Sequence, residues 1–406
     1  MKALSLFDGM ACGMLAMQSA GVPVERYVAF EIDKYAVQTS SHNFPMIEHR
    51  GDVFQADFTE FSGFDFLVGG SPCTYWSIAQ KNNRETEASG MGWELFSQYV
   101  RALHEAQPMY FIYENNKSMS NAIRESITET FGFEPVCINS ALVSAQNRQR
   151  LYWVGKRNLN GTYSRVRVDQ PEDRGILLRD VLEGMSLRKG VPYNVACVPV
   201  RIPEYGCDKA RPLGANYSNN CGGFEHRMFS ENRNKQQVDM VAQAVRIGAM
   251  PRPNGELSTS QAFRVYSVDG KSVNITAGGG GAGGKTGLYA IPVEFDGDIP
   301  TKAVSGADGK TYTVYLVKDG QITIKGKQYP IKLADGFYII RKLTVNECKR
   351  LQTVPDWYEF PVSDTQAYKM LGNGWTVEVI VHLIKATQEN ELGEEQLDLF
   401  KMIGEM

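Results

Sequence analysis

Phe64-Asp65-Phe66-Leu67-Val68-Gly69-Gly70-Ser71-Pro72-Cys73 holds a strand, a turn and a thiol in ten residues. An apolar run bounded by glycines, Phe64–Val68, reads as a buried strand ending in a tight turn. The turn delivers a cysteine to the mouth of a sheet, behind a proline that fixes the backbone and has no N–H to pair. A thiol at a strand end is a candidate nucleophile. Free cysteine is also among the most buried residue types and often acts as a small hydrophobe, so its neighbours have to decide between the two roles.

Upstream, Ala3–Phe7 reads as a first strand, which the glycine loop Asp8-Gly9-Met10-Ala11-Cys12-Gly13 joins to a helix running to about Ala20. Glycines between strand and helix let the backbone approach a ligand at the helix N-terminus. The loop is not GxGxxG, so no dinucleotide is specifically implied. Tyr27–Glu31 reads as a second strand ending in a carboxylate suited to ribose hydroxyls, and Gly51-Asp52-Val53 closes another short strand. A single acid at such a place is commonly a helix cap. Repeated strand–helix connections with a glycine loop and two acids point instead to a nucleoside-bearing cofactor.

Downstream, the polar stretch Gln80–Gly92 reads as a surface loop able to act as a lid, ahead of a helix over Leu95–Ala106. Met109–Tyr113 reads as a further strand, ending in Glu114-Asn115-Asn116. Parallel sheets gather function at the carboxyl ends of their strands, so Cys73 and Glu114 are expected to open onto one crevice. A thiol and a carboxyl there suit nucleophilic attack with proton donation. Leu142–Gly155 reads as a strand pair or a turn into a strand, where period two would put Gln146, Arg148 and Arg150 on one face.

The composition agrees with an ordinary globular chain: 406 residues, 43% hydrophobic and 22% charged, enough for two domains with cores of their own. No apolar run approaches a membrane span, and the early Asp8 argues against a signal peptide. Seven scattered cysteines fit a reduced, cytoplasmic protein better than a disulfide framework. No CxxC occurs, so no metal site is expected, not even from Cys197, Cys207, Cys221 and His226. The net charge is −3, but Arg148–Arg252 carries 18 Lys/Arg against 10 Asp/Glu, a basic middle suited to a polyanion, ahead of an acidic tail.

Together these motifs resemble, over essentially the whole chain, the cytosine-C5 DNA methyltransferases of bacterial or phage type. The loop Asp8–Gly13 is similar to the family's cofactor loop, Pro72-Cys73 to its catalytic dipeptide, Glu114-Asn115 to its acid motif and Gln146-Asn147-Arg148-Gln149-Arg150 to its Gln-x-Arg-x-Arg motif. Arg341–Glu347 with Leu351–Pro355 resembles the segment bracing the recognition domain, and Leu371-Gly372-Asn373-Gly374-Trp375-Thr376-Val377 the last motif. Asn116, Thr74 and Glu94 depart from the family's usual valine, glutamine and arginine.

The resemblance implies a doubly wound, Rossmann-like α/β methyltransferase sheet, in residues 1–157 plus 342–406, and a smaller, mostly β target-recognition domain in 158–341. It implies S-adenosylmethionine as cofactor, held by Phe7, Asp8, Gly9, Gly13, Glu31, Ile32, Asp52, Val53, Pro72, Asn373, Trp375 and Val377. Cys73 would attack C6 of a flipped cytosine in double-stranded DNA, protonated Glu114 would bind ring N3, and Arg148 would orient the pyrimidine O2, with Gln146 and Arg150 alongside. Ser77, Arg148, Arg165 and Arg167 would contact the DNA.

Two rival readings come from the same text. Residues 279–286 satisfy the phosphate-loop pattern GxxxxGK[ST], but the following Gly287–Val293 reads as a strand where a nucleotide hydrolase needs a helix. An RNA cytosine-C5 methyltransferase would share the chemistry, although the long recognition insert favours duplex DNA. In the tail, Gln396-Leu397-Asp398-Leu399-Phe400 resembles the pentapeptide with which bacterial proteins dock on the replication sliding clamp, through Gln396, Leu397, Leu399 and Phe400.

Overall fold

The computed structural model describes residues 1–78, 84–183, 185–188, 191–193, 242–276, 286–293, 303–306 and 309–389. At its centre lie three parallel strands, β1 (Lys2–Leu6), β4 (Phe66–Gly69) and β5 (Tyr110–Asn116). They are buried on both faces, which is why they read as unbroken apolar runs. Alternate residues go to opposite sides. Ala3, Phe66, Val68 and Ile112 join the core under α1 (Cys12–Ser19) and the helix at 377–389, whereas Leu4, Leu67, Phe111 and Tyr113 join the core under α3 (Gly90–Ala106) and α4 (Asn121–Phe131). This is the doubly wound arrangement.

The sheet extends through β2 (Arg26–Phe30) and β3 (Glu48–His49) on one side, with α2 (Lys34–Asn43) between them in the chain. On the other side come β7 (Gln149–Arg157) and then β6 (Val136–Asn139), giving the order β3-β2-β1-β4-β5-β7-β6. β7 runs antiparallel to both of its neighbours on this path. α1 can sit tightly on this sheet because Gly13 lies within it: a Cβ there would fall 2.6 Å from the Tyr27 hydroxyl.

Three expectations shift. The short third strand is Glu48–His49, and Gly51-Asp52-Val53 follows it, with Asp52 capping the next turn through the Phe54 N–H. Glu114 lies inside β5, not after it. The first sheet also takes in β8 (Tyr163–Arg165), which pairs with β7, so a boundary after residue 157 falls within the sheet.

A second sheet of ten strands spans residues 185–341 and is antiparallel except where Arg264–Ser267 pairs with Leu288–Val293. That last strand follows the phosphate-loop pattern directly, so the residue that would open a helix opens a strand instead. The glycine run itself, residues 277–285, lies outside the described residues, as do Cys197, Cys207, Cys221, His226 and the pentapeptide Gln396–Phe400. No described helix is long and apolar enough to cross a membrane.

The chain leaves and rejoins the first layer at one place. Arg341, at the end of the strand Gly336–Arg341 of the second sheet, makes a bidentate pair with Glu347 at 2.6 and 2.7 Å. Glu347 also accepts from the Thr344 N–H, closing a capping box on α5 (Val345–Leu351), and from the Glu183 N–H on the outgoing segment. Both side chains are buried, so the pair is worth most as a specified junction. Glu347→Ala would bury the Arg341 charge without its carboxylate and is expected to cost about 3–5 kcal/mol in urea unfolding. A loss below about 1 kcal/mol would mean that the junction is held elsewhere.

Candidate active site

β4 and β5 place the thiol against the acid. Gly69 pairs with Tyr113 across the two strands, and a Cβ on Gly70 would lie 2.6 Å from the Glu114 carbonyl oxygen and 2.9 Å from Oε2. Only glycine lets the turn into Pro72-Cys73 run this close to the carboxylate. Asn115, fully buried, ties the turn down. Its Nδ2 donates to the Ser71 carbonyl at 3.2 Å, and Ser71 Oγ shares a 2.7 Å hydrogen bond with the Tyr113 hydroxyl. The Cys73 carbonyl then accepts from the Trp76 and Ser77 N–H groups, so the thiol and Ser77 sit on one tight turn.

The following segment is less free than its composition suggests. Trp76 is buried and donates its indole N–H to Glu85, whose carboxylate also accepts from the Gly92 N–H at the start of α3. Arg84 bonds the Trp76 and Ser118 carbonyls. Arg84 to Gly92, expected to be part of a lid, is therefore pinned to the body. Residues 79–83 lie outside the described residues.

Arg150 and Trp375 complete the constellation. Arg150 Nε meets Glu114 Oε1 at 2.9 Å, and the Trp375 indole N–H donates to Oε2 at 3.0 Å. Burial pushes the Cys73 thiol above its ordinary value. Arg150 pulls it back down, Glu114 pushes it up, and Arg148 and the cysteine's own N–H lower it. The ligand-free thiol is therefore mostly protonated near neutrality.

Arg148 does something other than expected. Its guanidinium is spent on four acceptors: Asn274 Oδ1, Ile275 O, Gly372 O and Gly374 O. Burial, then the neighbouring Arg150, brings it down to about 10. It braces the site and does not present its guanidinium to a substrate. The shared face also fails, because β7 begins only at Gln149. Gln146, ahead of the strand, accepts from the Ile275 N–H and donates to Gln352 and the Leu351 carbonyl. Sequence reasoning missed the partners of these side chains: Gln352 stood inside a quoted motif, but nothing marked Asn274 or Ile275.

The cofactor-loop residues gather at the ends of β1 and β2. Phe7, Gly9 and Ala11 all have left-handed φ, at 57°, 60° and 60°, a concentration of backbone strain typical of ligand loops. Glu31 holds the loop, accepting from the Gly9 N–H at 2.8 Å and from the Ile32 and Asp33 N–H groups. Asp8 lies beneath. Its Oδ1 accepts from Ser5 and Tyr27, whereas the buried Oδ2 has no partner among the described residues. Ile32 is 76% exposed, Val53 is buried, and Asn373 and Pro72 are exposed. Val377 is buried and donates its N–H to Gln352. Gly13 serves the packing of α1.

Two expected DNA contacts stand apart. Arg165 pairs in register with Gly155, level with Phe111 on β5 and several residues from the Asn115–Leu151 pair beside the site. Arg167, also exposed, faces Asp169 at 3.5 Å.

A sequence profile described as C-5 cytosine-specific DNA methylase matches residues 1–389. The orphan methyltransferase M.Rho11sI of Bacillus phage rho11s is 26% identical over 350 residues, 79% of this chain and 68% of that protein. The type II methyltransferase M.HgiBI of Herpetosiphon aurantiacus is 25% identical over 452 residues, covering 97% of this chain and 98% of that one. Among solved structures, the methyltransferase EhMeth of Entamoeba histolytica superposes with a TM-score of 0.56 at 12% identity, over 96% of this chain and 98% of its own. At that identity the likeness is one of fold.

Two titrations follow. Burial raises the Asp8 carboxyl to about 6, so folding favours its protonated form. That contribution is complete below about pH 4 and is lost as pH rises through about 6. Asp8→Asn keeps an acceptor for Ser5 and Tyr27 and cannot ionise. It should raise the unfolding free energy at about pH 7.5 by up to about 3 kcal/mol, with no gain near pH 4. An equal gain at both pH values would contradict this. Iodoacetamide alkylation of Cys73 in the free protein should still be accelerating at about pH 9. A plateau near neutrality would mean the thiol is already ionised.

Proposed function

Because the chain belongs to the C-5 cytosine-specific DNA methylases, and so is a DNA cytosine-5 methyltransferase using S-adenosylmethionine, we propose that it methylates a flipped cytosine within a specific duplex sequence through a covalent Cys73–C6 adduct. One observation carries this reading: Arg150 bridges toward Glu114 at 2.9 Å in a crevice whose mouth is the Cys73 turn.

The residues of the cofactor loop fit the family's methyl donor. Glu31 gives Oε1 to two N–H groups and Oε2 to one, which leaves an acceptor site on Oε2 for a ribose hydroxyl. Exposed Ile32 offers an apolar face for a purine ring, and the orphaned Asp8 Oδ2 offers an acceptor for an ammonium group. Bound there, S-adenosylmethionine supplies an electrophilic methyl group.

The protein's own tasks follow from chemistry. Cytosine C5 is a poor nucleophile until a thiolate adds at C6 and makes the ring enamine-like. Cys73 must lose its proton to do this, and Arg150 is the cation that most favours the thiolate. Glu114, protonated, would donate to ring N3 as negative charge builds there. The role of orienting O2, expected of Arg148, belongs to Arg150, because the Arg148 guanidinium is already engaged. After methyl transfer, loss of the C5 proton and elimination free Cys73. The target atom is inaccessible in a duplex, so the base has to leave the stack at a cost of a few kcal/mol. The second sheet, with base contacts for specificity and phosphate contacts for affinity, supplies the recognition.

Duplex DNA containing 5-fluorocytosine tests the adduct, since fluorine blocks the final proton loss. With methyl donor present, the parent protein should form a complex stable to detergent. Cys73→Ala should form none and should fail to transfer labelled methyl. Methylation by Cys73→Ala would overturn the proposal.

A further inference from the structure

Trp375 touches both halves of the site. Its indole N–H donates to Glu114 Oε2 at 3.0 Å, on the carboxylate whose other oxygen faces Arg150. Its backbone rests on the cofactor loop. The Cys12 thiol donates to the Trp375 carbonyl at 3.9 Å, and a Cβ on the adjoining Gly374 would come within 3.2 Å of Cys12 Sγ and 3.6 Å of Met10 Sδ.

The backbone on either side of Trp375 is held firmly. Arg148 Nη2 and Gln352 Nε2 both donate to the Gly374 carbonyl, at 2.8 and 3.1 Å. Thr376 Oγ1 donates to Gln352 Oε1 and shares a hydrogen bond with Ser140. Between these two held neighbours the indole is half-buried, with its N–H on Glu114. Its contact also has a chemical consequence. Arg150 and the indole each occupy one Glu114 oxygen. Binding a cytosine through N3 needs a donor from that same carboxyl, so the base and the indole compete for Glu114. Meanwhile the cofactor and the indole share residues 373–377.

We propose that Trp375 is a positioning residue that couples the cofactor pocket to the base pocket: the seating of the cofactor against this segment sets whether the indole holds Glu114 or yields it to the cytosine. The proposal rests on the reading of Glu114 as the base-binding acid. A link of this kind must appear as a reciprocal free energy between two ligands.

The test measures the affinity of a duplex that the enzyme methylates, with and without saturating S-adenosylhomocysteine, for the full chain. In the parent the cofactor product should tighten DNA binding by about tenfold, within the usual range of such couplings. Trp375→Phe keeps the ring and loses the N–H, and should bring that ratio to about one. In a Glu114→Gln background the same substitution should change the ratio no further. Trp375→His, which keeps a ring donor, should retain most of the coupling. A Trp375→Phe protein with the parental ratio would overturn the proposal, as would a parent with no coupling. Should Trp375→Phe fail to fold, a Trp375→His protein that still methylates but has lost the coupling would overturn it too. Trapping on 5-fluorocytosine DNA separates the two readings. A parent that forms no adduct defeats the function proposed above, whereas adduct formation by the parent and by Trp375→Phe with an unchanged ratio defeats only the role of Trp375.

Discussion

The buried guanidinium of Arg148 is the constraint on which the rest of the site depends. It collects carbonyl groups from residues 275, 372 and 374 and the side-chain oxygen of Asn274. These come from the insert that carries the second sheet and from the segment 372–374, and Arg148 itself immediately precedes the strand that carries Arg150. A charge with so little water survives only when its donors are satisfied, and a flat fork with five N–H groups can satisfy several diverging carbonyls where an ammonium cannot. Removing it would strand those carbonyls and the segments bearing them. Lys271 repeats the device nearby. Fully buried, it donates to the Ala141, Ser144 and Ile176 carbonyls, and burial lowers its affinity for a proton. Two cations held mainly by backbone dipoles thus set where three chain segments meet.

That economy leaves Arg150 as the cation that faces the reacting groups. It is in contact with Glu114 and is the strongest charge favouring ionised Cys73. Arg150 and Glu114 act on that thiol in opposite directions, the guanidinium lowering its affinity for a proton and Glu114 raising it, while burial raises it most.

What was legible in the sequence was whatever local chemistry encodes. The apolar run into Gly69-Gly70 gave away strand and turn, because close approach to Glu114 excludes any side chain at Gly70. The glycine loop and the carboxylate after β2 were equally readable. The division of labour between Arg148 and Arg150 was not. Alternation put both on one face, but β7 starts at Gln149, and the partners of Arg148 lie more than a hundred residues downstream. Polar composition between Gln80 and Gly92 likewise hides that Glu85 anchors Trp76 to the start of α3.

The insertion of a second sheet into the catalytic chain follows a simple physical logic. Glu183, where the chain departs, and Arg341, Thr344 and Glu347, where it returns, form one hydrogen-bonded network. The two sheets also share an apolar core, in which Val268, Tyr289 and Ile339 of the insert join Ala3, Phe66 and Val68 of the first sheet. The segment around residues 271–275 adds polar links, bonding Ala145, Gln146, Asn147 and Arg148. The guanidinium that holds the Ile275 carbonyl also holds the carbonyl next to Trp375, so the second sheet and the segment that contacts Glu114 meet on one buried cation.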